Sequence, residues 1–343
     1  MHETVISPSD AQSVQQAAEL LYAGELVAFP TETVYGLGAD AENLAALASI
    51  YEAKGRPSNH PVIVHVAPGA DLYYWAKQIP DEGWRLVECF WPGPLTLILP
   101  KADHVPLQIT GGQDSVGVRC PSHPVAQALL TAFAQCKGGQ GGVAAPSANR
   151  FGRISPTQAY HVQQEFKGCV LQPKMILEGG PAEVGIESTI VDVSRVAQTG
   201  EVAVLRPGGI SVAQIEAALG RSVQIGAKHH APRVSGSLKA HYAPTTPLYS
   251  LPRAALVAKA AVAAAPQKVG VLGFGSAPQA LAAGVQWVEL PAQPTHFAHS
   301  LYALLRELDA QDFDAFYIEQ LPTTPEWLAV ADRLNRAAAA FEA

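Results

Sequence analysis

The chain has 343 residues, of which 48% are hydrophobic and 15% charged, and its formal net charge is -7. This composition is typical of a globular protein, and the length fits two domains better than one. The sequence contains no run of about 18 apolar residues, the length needed to span a membrane. The excess of acidic residues also argues against a surface with bulk attraction for nucleic acid.

The N-terminus and the cysteines indicate a cytoplasmic protein. Met1-His2-Glu3-Thr4 has neither the basic start nor the apolar run of a signal peptide. The cysteines are widely separated, form no CxxC pair and therefore predict neither a disulfide framework nor a zinc site. They are Cys89, Cys120, Cys136 and Cys169.

The first two thirds of the chain alternate between helical and extended patterns. Helical spacing covers residues 10–22, 44–54, 125–134 and 157–166, and a buried-strand pattern covers 26–29. Further strands are predicted over residues 62–66, 95–99, 116–118, 143–145, 175–177, 189–193 and 202–205. The irregular loop lengths favour an α/β domain on a large twisted, mixed sheet over a regular βα repeat.

The periodicity stops between residues 221 and 245, where turn-forming residues dominate. We interpret this segment as a linker, so the predicted units are a large domain over 1–220, the linker over 221–245 and a small domain over 246–343. The linker has a small positive excess, because no acidic residue occurs between Glu216 and Glu289.

The C-terminal part shows an alternation of strands and helices that predicts a small parallel α/β sheet of Rossmann-like type. Strands are predicted over 248–251, 269–272, 287–290 and 315–318, and helices over 253–264, 277–283, 297–308 and 326–341. The Gly273-Phe274-Gly275 sequence lacks the third glycine of the dinucleotide fingerprint, so we predict no dinucleotide site there.

Two short segments carry the chemistry expected of a phosphate site. Lys54 and Arg56 flank Gly55 at the end of a predicted helix, where cations also act as ordinary C-terminal caps. An ammonium beside a planar guanidinium suits phosphate oxygens. Ser147 and Asn149 follow a predicted strand, at the end where ligands collect in α/β sheets, although both are also common turn residues. No Walker A motif is present, so a nucleotide would bind without a P-loop.

Eight segments of the sequence resemble segments of the threonylcarbamoyl-AMP synthase (YrdC-like) family, and they occur in the same order as in that family. They are residues 29–38, 54–57, 61–65, 91–96, 116–121, 145–149, 187–192 and 205–208. The resemblance covers roughly residues 5–220, and the linker with the small domain resembles the longer, two-domain branch of the family. A YrdC-like fold with a large mixed sheet and a Rossmann-like C-terminal domain is therefore implied.

The resemblance implies a nucleotidyltransferase that joins L-threonine, bicarbonate and ATP into threonylcarbamoyl-AMP and pyrophosphate. The product would serve tRNA processing, as the precursor of threonylcarbamoyladenosine at position 37. ATP is implied as a substrate with Mg²⁺, and the indirect partners would be tRNA and a downstream threonylcarbamoyl transferase complex. No membrane partner is implied.

The resemblance also assigns site residues by position. Those implied for threonine are Thr33, His65, Arg119, Ala145 and Ser188. Those implied for ATP are Arg56, His60, Ser115, Ser147, Ser155, Arg206, His241 and Tyr242. The implied catalytic group is Lys54, Arg56, Ser147 and Asn149, with no protein-held metal.

The implied roles agree with the chemistry of these side chains. Arg119 offers two parallel N–H donors to the carboxylate of threonine. A carbamate formed from the threonine amine and bicarbonate would attack the α-phosphorus, where Lys54, Arg56 and a divalent cation meet the developing charge. No His or carboxylate is forced by spacing next to the amine, so its base is not identified.

Two positions depart from the family pattern. His60 stands where the family commonly has Asn, and residues 235–240 replace a Pro-Gly-Met-Lys sequence. The His241-Tyr242 pair is retained, so a lid role for the linker is a hypothesis.

Two other function classes are alternatives to the synthase. A double-stranded RNA or tRNA binding module could use the concave face of a large sheet, but residues 1–230 hold 15 basic and 21 acidic residues. A carbamoyl-phosphate-dependent transferase has related domains in a larger chain with cysteine-rich fingers, which this sequence lacks.

Overall fold

The computed structural model describes residues 4–226, 231–262 and 267–342. Its chain divides into two compact units: the first is Met1–Phe151 with Ser155–Ser237, and the second is Gly152–Ile154 with Leu238–Ala343. The segment interpreted as a linker is thus shared between the units, with Lys228 among the residues outside the described ranges.

The first unit is built on one mixed sheet, as the sequence predicted. The strand order is β1-β8-β2-β3-β7-β4-β6-β5-β9-β10-β11, with parallel pairs such as β4 and β6 beside antiparallel pairs such as β5 and β6. The strands are β1 (Val5–Ser7), β2 (Val27–Phe29), β3 (Gly36–Asp40), β4 (Ile63–His65), β5 (Leu95–Pro100), β6 (Ser115–Arg119), β7 (Val143–Ala144), β8 (Met175–Leu177), β9 (Thr189–Asp192), β10 (Ala203–Arg206) and β11 (Gln224–Ile225).

Helices cover both faces of this sheet. They are α1 (Ala11–Tyr22), α2 (Leu44–Lys54), α3 (Asp81–Phe90), α4 (Leu107–Thr110), α5 (Pro124–Cys136), α6 (Ala159–Phe166), α7 (Val196–Thr199) and α8 (Val212–Leu219). Because side chains alternate along a strand, Val27 and Phe29 face the core under α1 and α5, while Ala28 faces the larger core on the other side.

Helix α2 ends at Lys54, the first residue of the predicted phosphate-binding pair. The Asn43 side chain caps its first turn, accepting from the backbone N–H groups of Ala45 and Ala46, and Gly55 stops it in the left-handed region with φ 60°. A glycine is favoured there because it has no Cβ to strain that conformation. The predicted bounds of this helix, 44–54, are confirmed.

The second unit has a four-stranded parallel sheet, which confirms the predicted type. Its order is β12-β15-β13-β14. The strands are β12 (Leu248–Leu251), β13 (Val269–Phe274), β14 (Val285–Leu290) and β15 (Ala315–Glu319), and the helices are α9 (Arg253–Val262), α10 (Pro294–Asp309) and α11 (Leu328–Ala338). Residues 263 and 264, where a helix was also predicted, lie outside the described residues.

The predicted helix over residues 277–283 is wrong. This alanine-rich segment has no helix in the structure. Pro278 and Gly284 leave fewer than two turns between them, which is too short to pay the cost of helix nucleation. The neighbouring Gly273 has a packing role instead: a Cβ there would lie 2.5 Å from the Trp287 ring.

None of the helices in the described ranges has the length and apolar character needed to cross a bilayer. The four cysteines are free thiols, and burial raises the pKa of the Cys120 thiol to about 11.

Candidate active site

The end of α2 and the turn after β7 meet at one point in the first unit. The Lys54 Nζ donates a hydrogen bond to the Ser147 carbonyl at 2.6 Å and another to the Asn149 carbonyl. The Phe151 N–H bonds back to the Lys54 carbonyl at 2.8 Å. The two segments that the sequence singled out, 93 residues apart, therefore form one site.

The Lys54 side chain is buried, being only 2% exposed. Burial, followed by the neighbouring Arg56 charge, lowers the pKa of its ammonium well below the ordinary value, while Glu165 and Glu187 act in the opposite direction. A negatively charged ligand placed beside this nitrogen would favour the protonated form and raise the pKa again.

Backbone hydrogen bonds bring the Thr31–Gly36 loop to the same turn. The Leu37 N–H donates to the Pro146 carbonyl, and the Ala148 N–H to the Tyr35 carbonyl, both at 2.8 Å. Gly36 and Ser147 form an antiparallel bridge. The loop that carries Thr33 is consequently fixed against the turn that carries Ser147.

Arg119 has a buried partner that sequence reasoning missed. Its Nη2 donates to Glu32 Oε1 at 2.6 Å, its Nη1 to Thr33 Oγ1 at 2.9 Å and its Nε to the Gly93 carbonyl at 3.4 Å. Both side chains of the ion pair are at most 5% exposed. Three of the five guanidinium N–H groups are thus committed to the protein.

His65 lies at the end of β4, beside β6 and its Arg119. It is 3% exposed, and its ring meets the Phe29 ring edge-on at a centroid distance of 6.0 Å. Burial, together with the Arg119 charge, lowers the pKa of His65 to about 3. The imidazole is therefore neutral at physiological pH.

This low pKa predicts acid sensitivity. An unfolded His titrates near 6.5, so between pH 6.5 and about 3 only the unfolded state takes up the proton, and stability falls as pH falls. His65→Gln should lose about 1 to 2 kcal/mol less unfolding free energy than the wild type between pH 7 and pH 5. Urea unfolding at both pH values measures the difference. Equal losses in the two proteins would contradict the assignment.

Arg206 and Ser188 form a second polar wall. Arg206 donates to the Ser188 carbonyl at 2.8 and 3.1 Å and to Ser188 Oγ at 3.1 Å. Ser188 Oγ also lies 2.8 Å from Thr96 Oγ1. Both Arg206 and Ser188 are buried, so their geometry is set by the sheet rather than by solvent.

Ser235 connects Arg56 with Arg206. Arg56 Nη2 donates to the Pro61 carbonyl at 2.7 Å and to Ser235 Oγ at 3.2 Å, and Arg206 Nη1 donates to the Ser235 carbonyl at 3.0 Å. Val234 packs with Ile98 and with a neighbouring isoleucine of β9. Residues that were predicted to be linker therefore lie against the sheet beside two arginines implied for ATP.

A second buried carboxylate was also missed. Glu187 Oε1 accepts from the Ser155 hydroxyl at 2.6 Å, and Glu187 is 6% exposed. It precedes Ser188 and acts electrostatically on Lys54. Glu32 and Glu187 both lie inside segments quoted for the family resemblance, and a search for acidic residues within those segments could have found them.

The remaining implied residues fall in four places, three of them in the first unit. Ala145 is buried next to the turn, and Ser115 begins β6 beside a cleft of about 560 Å³ that Gln113 and Arg195 also line. The His60 ring packs edge-on against the Phe151 ring at a centroid distance of 5.4 Å. Burial lowers the pKa of His60, and the Arg56 and Arg233 charges lower it further.

His241 and Tyr242 belong to the second unit. Their rings are 4.1 Å apart, and Tyr242 stacks on Tyr302 at 5.8 Å.

Within the described residues, no group of three or more His, Cys, Asp or Glu side chains is placed to hold a metal ion.

Two family models match the chain. One, described as "Telomere recombination", matches residues 19–208, and the other, described as "Threonylcarbamoyl-AMP synthase, C-terminal domain", matches residues 210–339. Together they span both units.

Named relatives match over nearly the whole length. A threonylcarbamoyl-AMP synthase of Pyrococcus abyssi is 37% identical over 94% of this chain and 93% of its own. One of Bacillus subtilis is 39% identical over 97% and 94%. The crystal structure of P. abyssi Sua5 complexed with L-threonine superposes with a TM-score of 0.84 at 36% identity, covering 98% of both chains.

Proposed function

The chain belongs to the threonylcarbamoyl-AMP synthase family, and we infer that it is the synthase itself, a nucleotidyltransferase that forms an adenylate from ATP and L-threonine. The structural observation that best supports this function is the convergence of Lys54 with the Ser147–Asn149 turn, where the Lys54 Nζ lies 2.6 Å from the Ser147 carbonyl oxygen. We further propose bicarbonate as the third substrate and the tRNA modification pathway as the user of the product.

We propose that the triphosphate binds at Lys54 and Arg56. Two N–H groups of Lys54 are directed to carbonyls, so a protonated side chain keeps a third N–H for a phosphate oxygen. The charge of the triphosphate would offset the desolvation that lowers the Lys54 pKa. His60, Ser115, Ser155, Arg206, His241 and Tyr242 remain proposed ATP contacts on the family resemblance.

Threonine is proposed to bind between Thr33, Arg119 and Ser188, with His65 and Ala145 behind it. The two Arg119 N–H groups that are not directed to Glu32, Thr33 or Gly93 would receive its carboxylate. Glu32 holds the guanidinium plane in place, which limits the entropy lost on binding.

The proposed reaction needs no covalent enzyme intermediate. The threonine amine and bicarbonate form a carbamate with loss of water, and a carbamate oxygen attacks the α-phosphorus. The bond to the bridging oxygen breaks and pyrophosphate leaves with its electron pair. Lys54 and Arg56 would meet the developing negative charge. Mg²⁺ would enter as part of the substrate, coordinated by the ATP phosphates.

Pyrophosphate release tests this function directly. The purified chain should release pyrophosphate from ATP only when L-threonine and bicarbonate are both present, and a downstream transferase complex with tRNA should consume the adenylate. Release that continues without threonine would reject the proposal.

Ser147→Ala is expected to lower the activity only modestly. A neutral hydrogen bond contributes about 0.5 to 1.5 kcal/mol, so kcat/KM should fall roughly 2- to 12-fold. The Ser147 carbonyl that accepts from Lys54 is retained in this variant. The control is Ser49→Ala, because the Ser49 hydroxyl bonds within α2, to the Ala45 carbonyl at 3.1 Å. A loss of 100-fold for Ser147→Ala would contradict a simple hydrogen-bonding role.

A further inference from the structure

The second unit contains a strip of chain that interrupts the first. Gly152–Ile154 belongs to the second unit, although the residues on either side of it belong to the first. The strip begins three residues after Asn149, a member of the implied catalytic group, and ends immediately before Ser155, a proposed ATP contact. This strip is therefore part of the covalent connection between the two residues.

A second strip, residues 238–246, lies directly against the first. Arg153 and Ala243 form a parallel bridge, and the Ala243 N–H donates to the Gly152 carbonyl at 2.9 Å. Arg153 Nη2 also donates to Thr245 Oγ1. This second strip carries His241 and Tyr242.

Asp309 joins the two strips. It is the last residue of α10, and its carboxylate accepts from the Thr245 N–H at 2.8 and 3.0 Å and from the Thr246 N–H at 2.8 Å. The same carboxylate forms an ion pair with Arg153 at 3.6 Å, and its side chain is 13% exposed. A carboxylate is unfavourable at the C-terminal end of a helix, so these donors explain its presence there.

Arginine side chains elsewhere in the second unit also contact both strips. Arg306 Nη2 donates to the Ile154 carbonyl, and Arg336 Nη1 to the Leu238 carbonyl. Arg333, which is fully buried, lies 5.4 Å from the Tyr242 ring centroid. Tyr242 has φ 63°, a left-handed conformation that non-glycine residues adopt only where their surroundings impose it.

We propose that the second unit serves ATP binding by fixing the Gly152–Ile154 strip, which leads directly into Ser155, with Asp309 as the positioning residue that joins this strip to residues 245 and 246. The proposal rests on the proposed function, since it concerns the ATP side of that site. It gives the small α/β unit a role in the reaction without a ligand of its own.

The test compares two isosteric changes on one helix. Asp309→Asn removes the ion pair and, because an amide has one acceptor oxygen where the carboxylate has two, sets an NH₂ group against the Thr245 N–H. Glu307→Gln removes the same charge from an exposed position two residues earlier. Asp309→Asn should raise the KM for ATP at least fivefold and change the KM for threonine less than twofold, whereas Glu307→Gln should change neither.

A second variant guards against a local folding defect. Arg153→Met releases the other strip without altering α10, and it should raise the KM for ATP in the same direction. A lowered melting temperature for Asp309→Asn with an unchanged KM for ATP would show a purely structural role and overturn the proposal. So would equal KM values for Arg153→Met and the wild type. A wild-type chain without threonine-dependent pyrophosphate release would instead reject the proposed function, and this inference with it.

Discussion

Replacing Lys54 with alanine should lower kcat/KM for ATP by roughly 30- to 1,000-fold, the equivalent of about 2 to 4 kcal/mol of transition-state stabilisation. The ammonium is the point at which α2 and the Ser147–Asn149 turn meet, and it is nearly inaccessible to solvent. Its removal takes a charge from the proposed triphosphate site and leaves two carbonyls without their donor.

The control for this variant is Lys77→Ala. Lys77 forms an exposed ion pair with Asp103, with side-chain exposures of 55% and 89%, so its loss should leave turnover unchanged. Circular dichroism should show that both variants are folded. Turnover of Lys54→Ala within threefold of the wild type would contradict the proposed phosphate site.

Glu32→Ala should cost about 3 to 5 kcal/mol of folding free energy, because it leaves the Arg119 guanidinium buried without its counter-charge. The pair is 2.6 Å apart, and Glu32 Oε2 also accepts from the Ser122 N–H at 3.2 Å. The KM for threonine should rise as well, since Arg119 would lose the partner that orients it. Urea unfolding and threonine titrations measure the two effects separately.

An exposed ion pair supplies the comparison for Glu32. Glu82 contacts Arg221 at 3.0 Å with side chains 26% and 39% exposed, so Glu82→Ala should cost less than about 1 kcal/mol and leave the KM for threonine unchanged. Similar losses of stability for Glu32→Ala and Glu82→Ala would show that burial of the Arg119 pair has no energetic consequence.

The elements that sequence predicted well are those with local signals. Helix α2 has its Asn43 cap and its Gly55 stop within the segment itself. Strand β3 (Gly36–Asp40) was missed because its glycines give no apolar pattern. A Cβ at Gly38 would lie 2.8 Å from Val143 and 2.9 Å from Phe29, so the reason for glycine there is a contact with distant strands.

In the candidate site, too, the residues with local sequence signals were predicted and the contacts between distant segments were not. Lys54 and Ser147 were found because each follows a recognisable helix or strand end, and the family resemblance joined them. The Glu32–Arg119 and Ser155–Glu187 pairs were missed because their partners are 87 and 32 residues apart, and the fold rather than the local sequence brings them together. The packing of Val234 and Ser235 against the sheet was missed for a similar reason, since a sequence without periodicity gives no register.

A crystal structure of the chain with L-threonine and a non-hydrolysable ATP analogue would test the central claim most directly. We expect phosphate oxygens within hydrogen-bonding distance of Lys54 Nζ and of the Arg56 guanidinium, with the threonine carboxylate at Arg119 and its amine directed towards the α-phosphate. A triphosphate bound away from Lys54, or a threonine that does not contact Arg119, would contradict the account.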